Sequence, residues 1–205
     1  MIYIIVTTSI INNEFSELRK LQYLRGINKL IVLTKDIKDK KIIIVENNGI
    51  RNTYLDDLGE KVFYTTSNYI QTENKGIKEI KDVFNCISNF NINDNDFIVK
   101  ITGRYILEDS SNFINELRNL DEKTDCIIRY GPYFAKAKNF KVYDCVSGLI
   151  GMRCKYVKKI EMPAEDEAIE WKWAKSSFLI DDNKIKMLDT LGIYICPSGN
   201  DYFIV

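Results

Sequence analysis

The sequence predicts an α/β domain with a largely parallel central sheet flanked by helices, and three observations predict it. Short apolar runs recur at residues 2–6, 41–46, 62–64 and 97–102. Each run stops at polar or turn-forming residues. Stretches with apolar side chains at helical spacing lie between the runs, and strands that alternate with helices pair in parallel because the helix carries the chain back to the same sheet edge. At 205 residues and 45% hydrophobic content the chain can bury the core of one domain. Neither an internal repeat nor a low-complexity linker divides it.

The first strand, residues 2–6, is bounded by Thr7, Thr8 and Ser9, and helical spacing follows at Phe15, Leu18, Leu21 and Leu24. Residues 27–40 fit a longer helix or a strand, since Ile27, Leu30, Ile31 and Leu33 suit both. The second strand, 41–46, runs into the turn signal Asn47-Asn48-Gly49. The third, 62–64, ends in Thr65-Thr66-Ser67-Asn68. Lys75-Gly76 opens a helix whose Ile77, Ile80, Val83, Phe84 and Ile87 share one stripe, and that helix leads to the strand at 97–102. Ser110 or Ser111 caps the next helix, with Phe113, Ile114 and Leu117 facing inward. Strands follow around 126–130 and 146–152, then a helix over about 164–178 and strands at 193–196 and 202–205.

Composition removes several function classes. Lys plus Arg (29) equals Asp plus Glu (29), so no global field draws the chain to nucleic acid or an anionic membrane, and any anion must be recognised locally. The five cysteines, Cys86, Cys126, Cys145, Cys154 and Cys196, form no C-x-x-C pair, and there is no histidine. Zinc chemistry and Ser-His or Cys-His nucleophiles are therefore not expected. The N-terminus enters a strand directly, without the features of a signal peptide. No segment approaches the ~20 apolar residues of a membrane span. Scattered free cysteines then point to a reducing, cytoplasmic setting. Neither a G-x-G-x-x-G after the first strand nor a G-x-x-x-x-G-K-[ST] occurs, which argues against dehydrogenases and P-loop kinases.

The strand at 97–102 runs into a turn carrying Thr102, Gly103, Arg104 and Tyr105, with Lys100 just before it. Ligands of open α/β sheets bind beyond the carboxyl ends of the strands, and two cations, a hydroxyl and a glycine there suit a phosphate-bearing ligand. The competing reading is a snorkelling lysine and a structural arginine. Polar residues also end the earlier strands: Thr7, Thr8 and Ser9, then Glu46 and Asn47, then Thr65 and Ser67. In a parallel sheet these ends share one edge and converge on one cleft. A second constellation is Glu165-Asp166-Glu167 with Glu170, ahead of Trp171 and Trp173. Acids in a first helical turn suit the macrodipole. A functional role needs one of them to face the cleft, and helical spacing would pair Asp166 with Glu170 on one face and Glu167 with Trp171 on another. An aromatic beside a carboxylate also suits a stacked sugar ring.

In order, these pieces resemble the GT-A glycosyltransferases, the nucleotide-diphospho-sugar-dependent family, including the compact domains encoded by large DNA viruses. The resemblance rests on the opening strand with Thr7-Thr8, Ile44-Val45-Glu46-Asn47-Asn48-Gly49, Asn74-Lys75-Gly76, Lys100-Ile101-Thr102-Gly103-Arg104-Tyr105, Ser147-Gly148-Leu149-Ile150-Gly151-Met152-Arg153 and Glu165-Asp166-Glu167. It implies a single Rossmann-like GT-A domain over 1–205, with a nucleotide-binding half to about 106 and an acceptor half beyond. It implies a hexosyltransferase-type enzyme that takes a sugar from a nucleotide-diphosphate donor, UDP-sugar favoured, to a hydroxyl of a glycan or glycoprotein, with inversion. Thr7, Thr8, Ser9, Glu46, Lys75, Lys100, Thr102, Gly103, Arg104 and Tyr105 would line the donor side, with Glu46 a candidate for base or ribose hydrogen bonds. Ser147, Gly148 and Trp171 would line the acceptor side. Asp166 would be the base, with Glu167 and Glu170 in reserve.

One departure stands out. The family holds a divalent metal, manganese or magnesium, with an Asp-x-Asp at the end of the strand before the cleft, where this chain has Thr102-Gly103-Arg104. Asp94-Asn95-Asp96 spells the motif but precedes the strand, and reads as a turn. Either Lys100 and Arg104 neutralise the diphosphate without metal, or Glu108 and Asp109 bind one through a bent loop; no metal ligand is assigned. The alternative to an enzyme is a non-catalytic nucleotide- or sugar-binding module of a longer polypeptide.

Overall fold

The computed structural model describes residues 1–11, 16–196 and 201–205. In chain order it forms β1 (Ile2–Thr8), α1 (Ser16–Thr34), β2 (Lys40–Glu46), β3 (Lys61–Tyr64), α2 (Lys75–Asn89), β4 (Phe97–Thr102), β5 (Ile106–Leu107), α3 (Asn112–Arg118), β6 (Cys126–Ile128), β7 (Leu149–Arg153), α4 (Cys154–Val157), α5 (Ile169–Ser177), β8 (Ile185–Met187), β9 (Ile193–Ile195) and β10 (Phe203–Ile204). The central sheet has seven strands in the order β3-β2-β1-β4-β7-β6-β8, and β10-β9-β5 make a smaller one. Among the described residues, only β7 runs against its neighbours in the larger sheet.

Strand alternation divides the core into two layers. Tyr3 and Ile5 of β1 pack with Ile80, Val83 and Ile87 of α2 and Trp173 of α5, while Ile4 and Val6 face Ile27 and Leu30 of α1 and Phe113 of α3. The parallel register sets Thr8 beside Glu46 and Thr7 beside Thr102, so the carboxyl ends of β1, β2 and β4 are level. Ser111 caps α3, accepting from the Ile114 amide at 3.4 Å. Asn74 caps α2, accepting from the Gly76 amide at 2.9 Å.

Two sequence expectations change. The ambiguous stretch 27–40 is helix as far as Thr34, because Tyr23, Ile27, Leu30 and Leu33 make a buried stripe at helical spacing. Leu18 and Leu21, which were expected to mark that stripe, are exposed. Phe15 lies outside the described residues. The helix expected over 164–178 begins only at Ile169, after an extended Ala168. The Asn74 side-chain amide donates to the carbonyls of Ala164, Glu165 and Glu167, and the Glu167 carboxylate accepts from the Ala164 amide. These bonds hold 164–167 as a turn. The pairing of Asp166 with Glu170, and of Glu167 with Trp171, on shared helical faces therefore does not arise. Among the described residues, no helix is long and apolar enough to cross a membrane.

Candidate functional site

The strand ends do form one edge, and the polar groups there are tied to one another. Glu46 is fully buried and accepts from Thr8 Oγ1 at 3.2 Å, the Ile10 amide at 2.9 Å and Asn48 Nδ2 at 2.7 Å. Arg51 Nη2 lies 2.9 Å from Glu46 Oε1, the oxygen that also accepts from Asn48 Nδ2. Its hydrogen-bonding capacity goes into pinning the loops after β1 and β2, so it shapes the cleft from beneath. Asp82 of α2, which sequence reasoning missed, lies under the ends of β2 and β3. It accepts from Thr65 Oγ1 and from Asn47 Nδ2 at 3.1 Å. Burial pushes its carboxyl up to about 6.

Lys100 is the centre of the edge. Its side chain is 1% exposed, and Nζ lies 2.6 Å from Glu79 Oε1 of α2, whose side chain is 23% exposed. Nζ also donates to the Ser147 carbonyl at 2.9 Å and to Thr102 Oγ1 at 3.3 Å. Thr7 Oγ1 donates to the other Glu79 oxygen at 3.4 Å. Glu79 was also missed, because on a helix rich in lysine it reads as an ordinary solvated acid.

Thr102 to Tyr105 form a tight turn closed by the Tyr105 amide on the Thr102 carbonyl at 3.0 Å. Gly103 donates its amide to Thr7 O at 3.0 Å, and a Cβ there would stand 3.0 Å from both Thr8 Cγ2 and Val6 Cγ1. α1 presses on the same turn: a Cβ on Gly26 would stand 2.4 Å from the Gly103 carbonyl oxygen. Arg104 lies 5.8 Å from the Tyr105 ring centroid and has no carboxylate partner among the described residues. Tyr105 packs on Gly148, where a Cβ would fall 2.3 Å from its ring. Burial pushes the Tyr105 phenol up to about 12.

Across this turn opens a pocket of about 280 Å³ whose walls include Tyr105, Ser147, Glu170 and Trp171. Glu170, in the first turn of α5, accepts from Ser147 Oγ at 2.8 Å. Ser147 thus bonds Lys100 through its carbonyl and Glu170 through its hydroxyl. Asp144 stands in the same pocket with its carboxyl raised by burial and, to a lesser extent, by Glu170. The other expected residues sit apart. Asp166 and Lys75 are exposed, and Glu167 is held by Lys172 at 2.7 Å. Trp173 is buried in the core while Trp171 is half exposed. Hollows of about 350 and 620 Å³ at the opposite sheet edge are lined by Lys40, Lys61 and Phe90, and by Asn91, Asn93 and Lys158. Their linings lack convergent buried polar groups.

The mannosyltransferase PcManGT from Pyrobaculum calidifontis, solved with GDP-Man and Mn2+, matches this architecture with a TM-score of 0.54 over 92% of this chain, at 9% identity. The chain has the GT-A fold. TarS of S. aureus, residues 1–349, matches with a TM-score of 0.52 over 92% of this chain at 13% identity. This GT-A chain spans 56% of the mannosyltransferase and 58% of that TarS chain. A glycosyltransferase involved in glycosylation of the major capsid of PBCV-1 aligns over 92% of this chain with a TM-score of 0.49 at 7% identity. No protein-family model and no curated protein matches the sequence.

The residues at the end of β4 do not fit the divalent ion associated with a GT-A site. Thr102-Gly103-Arg104 offers no carboxylate, and the adjacent Glu79 already shares its charge with a buried ammonium that would repel a second cation. Among the described residues, no group of three or more Cys, Asp or Glu side chains could hold a metal ion. Asp94 and Asp96 are at the opposite edge, Asp94 paired with Lys158 at 2.6 Å and Asp96 accepting from the Asn93 amide at 3.0 Å. Asp109 is exposed beside Lys29.

Proposed function

We propose that this GT-A domain is a glycosyltransferase that moves a hexose from a nucleoside diphosphate donor, a UDP-sugar favoured, to a hydroxyl of a glycan or glycoprotein acceptor. One observation carries the reading: Ser147 joins the Lys100 ammonium to the Glu170 carboxylate across the strand-end cleft, at 2.9 and 2.8 Å. That brings a cation for a departing diphosphate within reach of a base for an incoming hydroxyl.

The nucleoside would lie over the loops after β1, β2 and β3, near Thr8, Ser9, Asn47 and Thr65. Lys100 and Arg104 would stabilise the charge gathering on the diphosphate as the bond from the sugar C1 breaks and its electron pair moves to the phosphate oxygen. The acceptor oxygen would attack C1 from the opposite face, with inversion, and pass its proton to Glu170. Glu170 replaces Asp166 in this role because it alone of the acidic group lines the pocket with a hydrogen-bonded carboxylate. Glu46 would act through the loops it pins.

A closed Lys100–Glu79 pair at 2.6 Å also suits a non-catalytic nucleotide- or sugar-binding module, since such a pair can be purely structural. The test is thermal stabilisation by UDP, GDP and their sugar conjugates, with and without manganese, followed by donor turnover. A ligand at 100 times its Kd adds roughly 2.7 kcal/mol. Stabilisation with turnover is the expected result; stabilisation without hydrolysis or transfer would leave the module, and no stabilisation by any nucleotide would end the donor reading.

A further inference from the structure

The pocket beyond Ser147 has walls of one kind and charges of one sign. Tyr133, Phe134 and Trp171 line it with 39%, 77% and 48% of their surface exposed, and Tyr105 forms the side nearest β4. The charged residues in its lining are Asp144 and Glu170, both carboxylates. Exposed aromatics on a loop could be incidental, but this loop is fixed from below. Arg129, 5% exposed, donates to the carbonyls of Pro132 at 3.2 Å and Ala135 at 2.6 Å, and through Nε to that of Asp189 at 3.2 Å. A buried guanidinium with three backbone acceptors holds the Tyr133-Phe134 tip in place. The two rings stand nearly perpendicular, 5.3 Å apart.

We infer that this platform receives the terminal pyranose of a neutral glycan and discriminates against anionic acceptors. The inference deepens the proposed transfer and rests on it for the role of Glu170. The C–H face of a pyranose is apolar with slight positive charge, which suits the negative face of an aromatic ring. Its rim of hydroxyls matches Asp144, Glu170 and Ser147, acceptors that line the pocket. A carboxylate or phosphate on the acceptor would meet two carboxylates and no cation in the lining, which is repulsive in a half-dry pocket. The volume of about 280 Å³ lies at the small end of ligand sites and suits a chain terminus better than an extended segment.

The test is saturation-transfer NMR and titration of the full chain with methyl glycosides of glucose, galactose, mannose, fucose and xylose, alongside glucuronic acid and glucose 6-phosphate. Aromatic saturation should reach the ring protons of at least one neutral glycoside. Trp171→Ala and, independently, Tyr133→Ala should each weaken its binding about fivefold to tenfold; both side chains are exposed enough for the fold to survive. Asp144→Asn should raise glucuronic acid binding relative to that of the neutral glycoside, by removing one of the two carboxylates that repel it. Charged sugars that bind as well as their neutral counterparts, or no binding by any neutral glycoside, would overturn the inference. Nucleotide-induced stabilisation, measured on the same samples, separates the two readings. Its survival without sugar binding removes the platform alone, and its loss with sugar binding intact removes the donor site alone.

Discussion

The Lys100–Glu79 pair is buried unequally, and that asymmetry predicts which partner matters more to stability. Lys100 is 1% exposed and Glu79 23%. In Glu79→Gln the ammonium stays in the interior without a counter-charge, the situation in which breaking a buried pair costs about 3–5 kcal/mol. For a chain of this length that corresponds to roughly 6–20 °C in Tm. In Lys100→Met the stranded carboxylate can rehydrate at its exposed edge, and Met fills much of the lysine volume, so the loss should be about 1–3 kcal/mol. Replacing both, Lys100→Met with Glu79→Met, removes the charges together and should return the fold to within about 1 kcal/mol of wild type. Urea denaturation of the three variants at neutral pH, with nucleoside diphosphate titrations on the same preparations, provides the measurement. The double variant is the functional arm: restored stability with at least tenfold weaker diphosphate binding is expected if Lys100 meets the donor. A milder effect for Glu79→Gln than for Lys100→Met would refute the burial argument, and undiminished nucleotide binding by the double variant would remove Lys100 from the donor site.

Glu170→Gln should lower transfer about 100-fold or more while donor binding survives, whereas Asp166→Asn, on an exposed turn, should leave turnover near wild type; steady-state kinetics of both decide between the two carboxylates. Asp82 has its folded carboxyl raised to about 6 from 3.8, so the folded state binds more protons, and its contribution to stability is present at low pH and lost as pH rises through that interval. Asp82→Asn should therefore gain stability relative to wild type between pH 4 and 7, by about 3 kcal/mol at most, in paired urea titrations. Gly26→Ala sets a methyl 2.4 Å from the Gly103 carbonyl, a backbone group that no rotamer change can move. A loss of at least about 3 kcal/mol is expected in the same assay.

The periodic part of this fold was legible because burial writes directly into sequence. The stripe of α2, a serine cap at 110 or 111 and the first four strands follow from apolar spacing and turn chemistry alone; the structure puts the cap at Ser111. α1 was legible as a helix but not in its facing. Its buried side includes Gln22 and Gly26, neither of which carries an apolar signal, while Leu18 and Leu21 point outward. At the site, Lys100 stood out because charge inside a hydrophobic strand is unusual, and Arg104 because it follows at that strand's carboxyl end. Glu79, Asp82 and Asp144 did not, since an acid on a helix or loop looks solvated until the fold places a lysine or a pocket against it. The start of α5 failed for a similar reason: Asn74, some ninety residues away, captures the carbonyls that would have extended the helix.

The antiparallel β7 is what joins the two halves of the site, and Ser147 is where that join can be tested. β7 runs against β4, with Ile101 opposite Leu149, so the residues just before β7 lie at the carboxyl end of β4. The Thr102 amide accordingly donates to the Gly148 carbonyl at 3.0 Å. Had β7 been parallel, Ser147 would lie at the far edge and no residue would bridge Lys100 to Glu170. The bridge uses two different atoms, the backbone carbonyl toward Lys100 and the hydroxyl toward Glu170. Ser147→Ala therefore cuts one connection and keeps the other. Losing a hydrogen bond to a charged group is worth about 1.5–3 kcal/mol, so kcat should fall roughly 10- to 100-fold through misplacement of Glu170. Donor affinity should stay the same, because the carbonyl still holds Lys100. Parallel losses in kcat and donor affinity would mean that Ser147 supports the whole pocket, and that the division of labour between its two oxygens is not real.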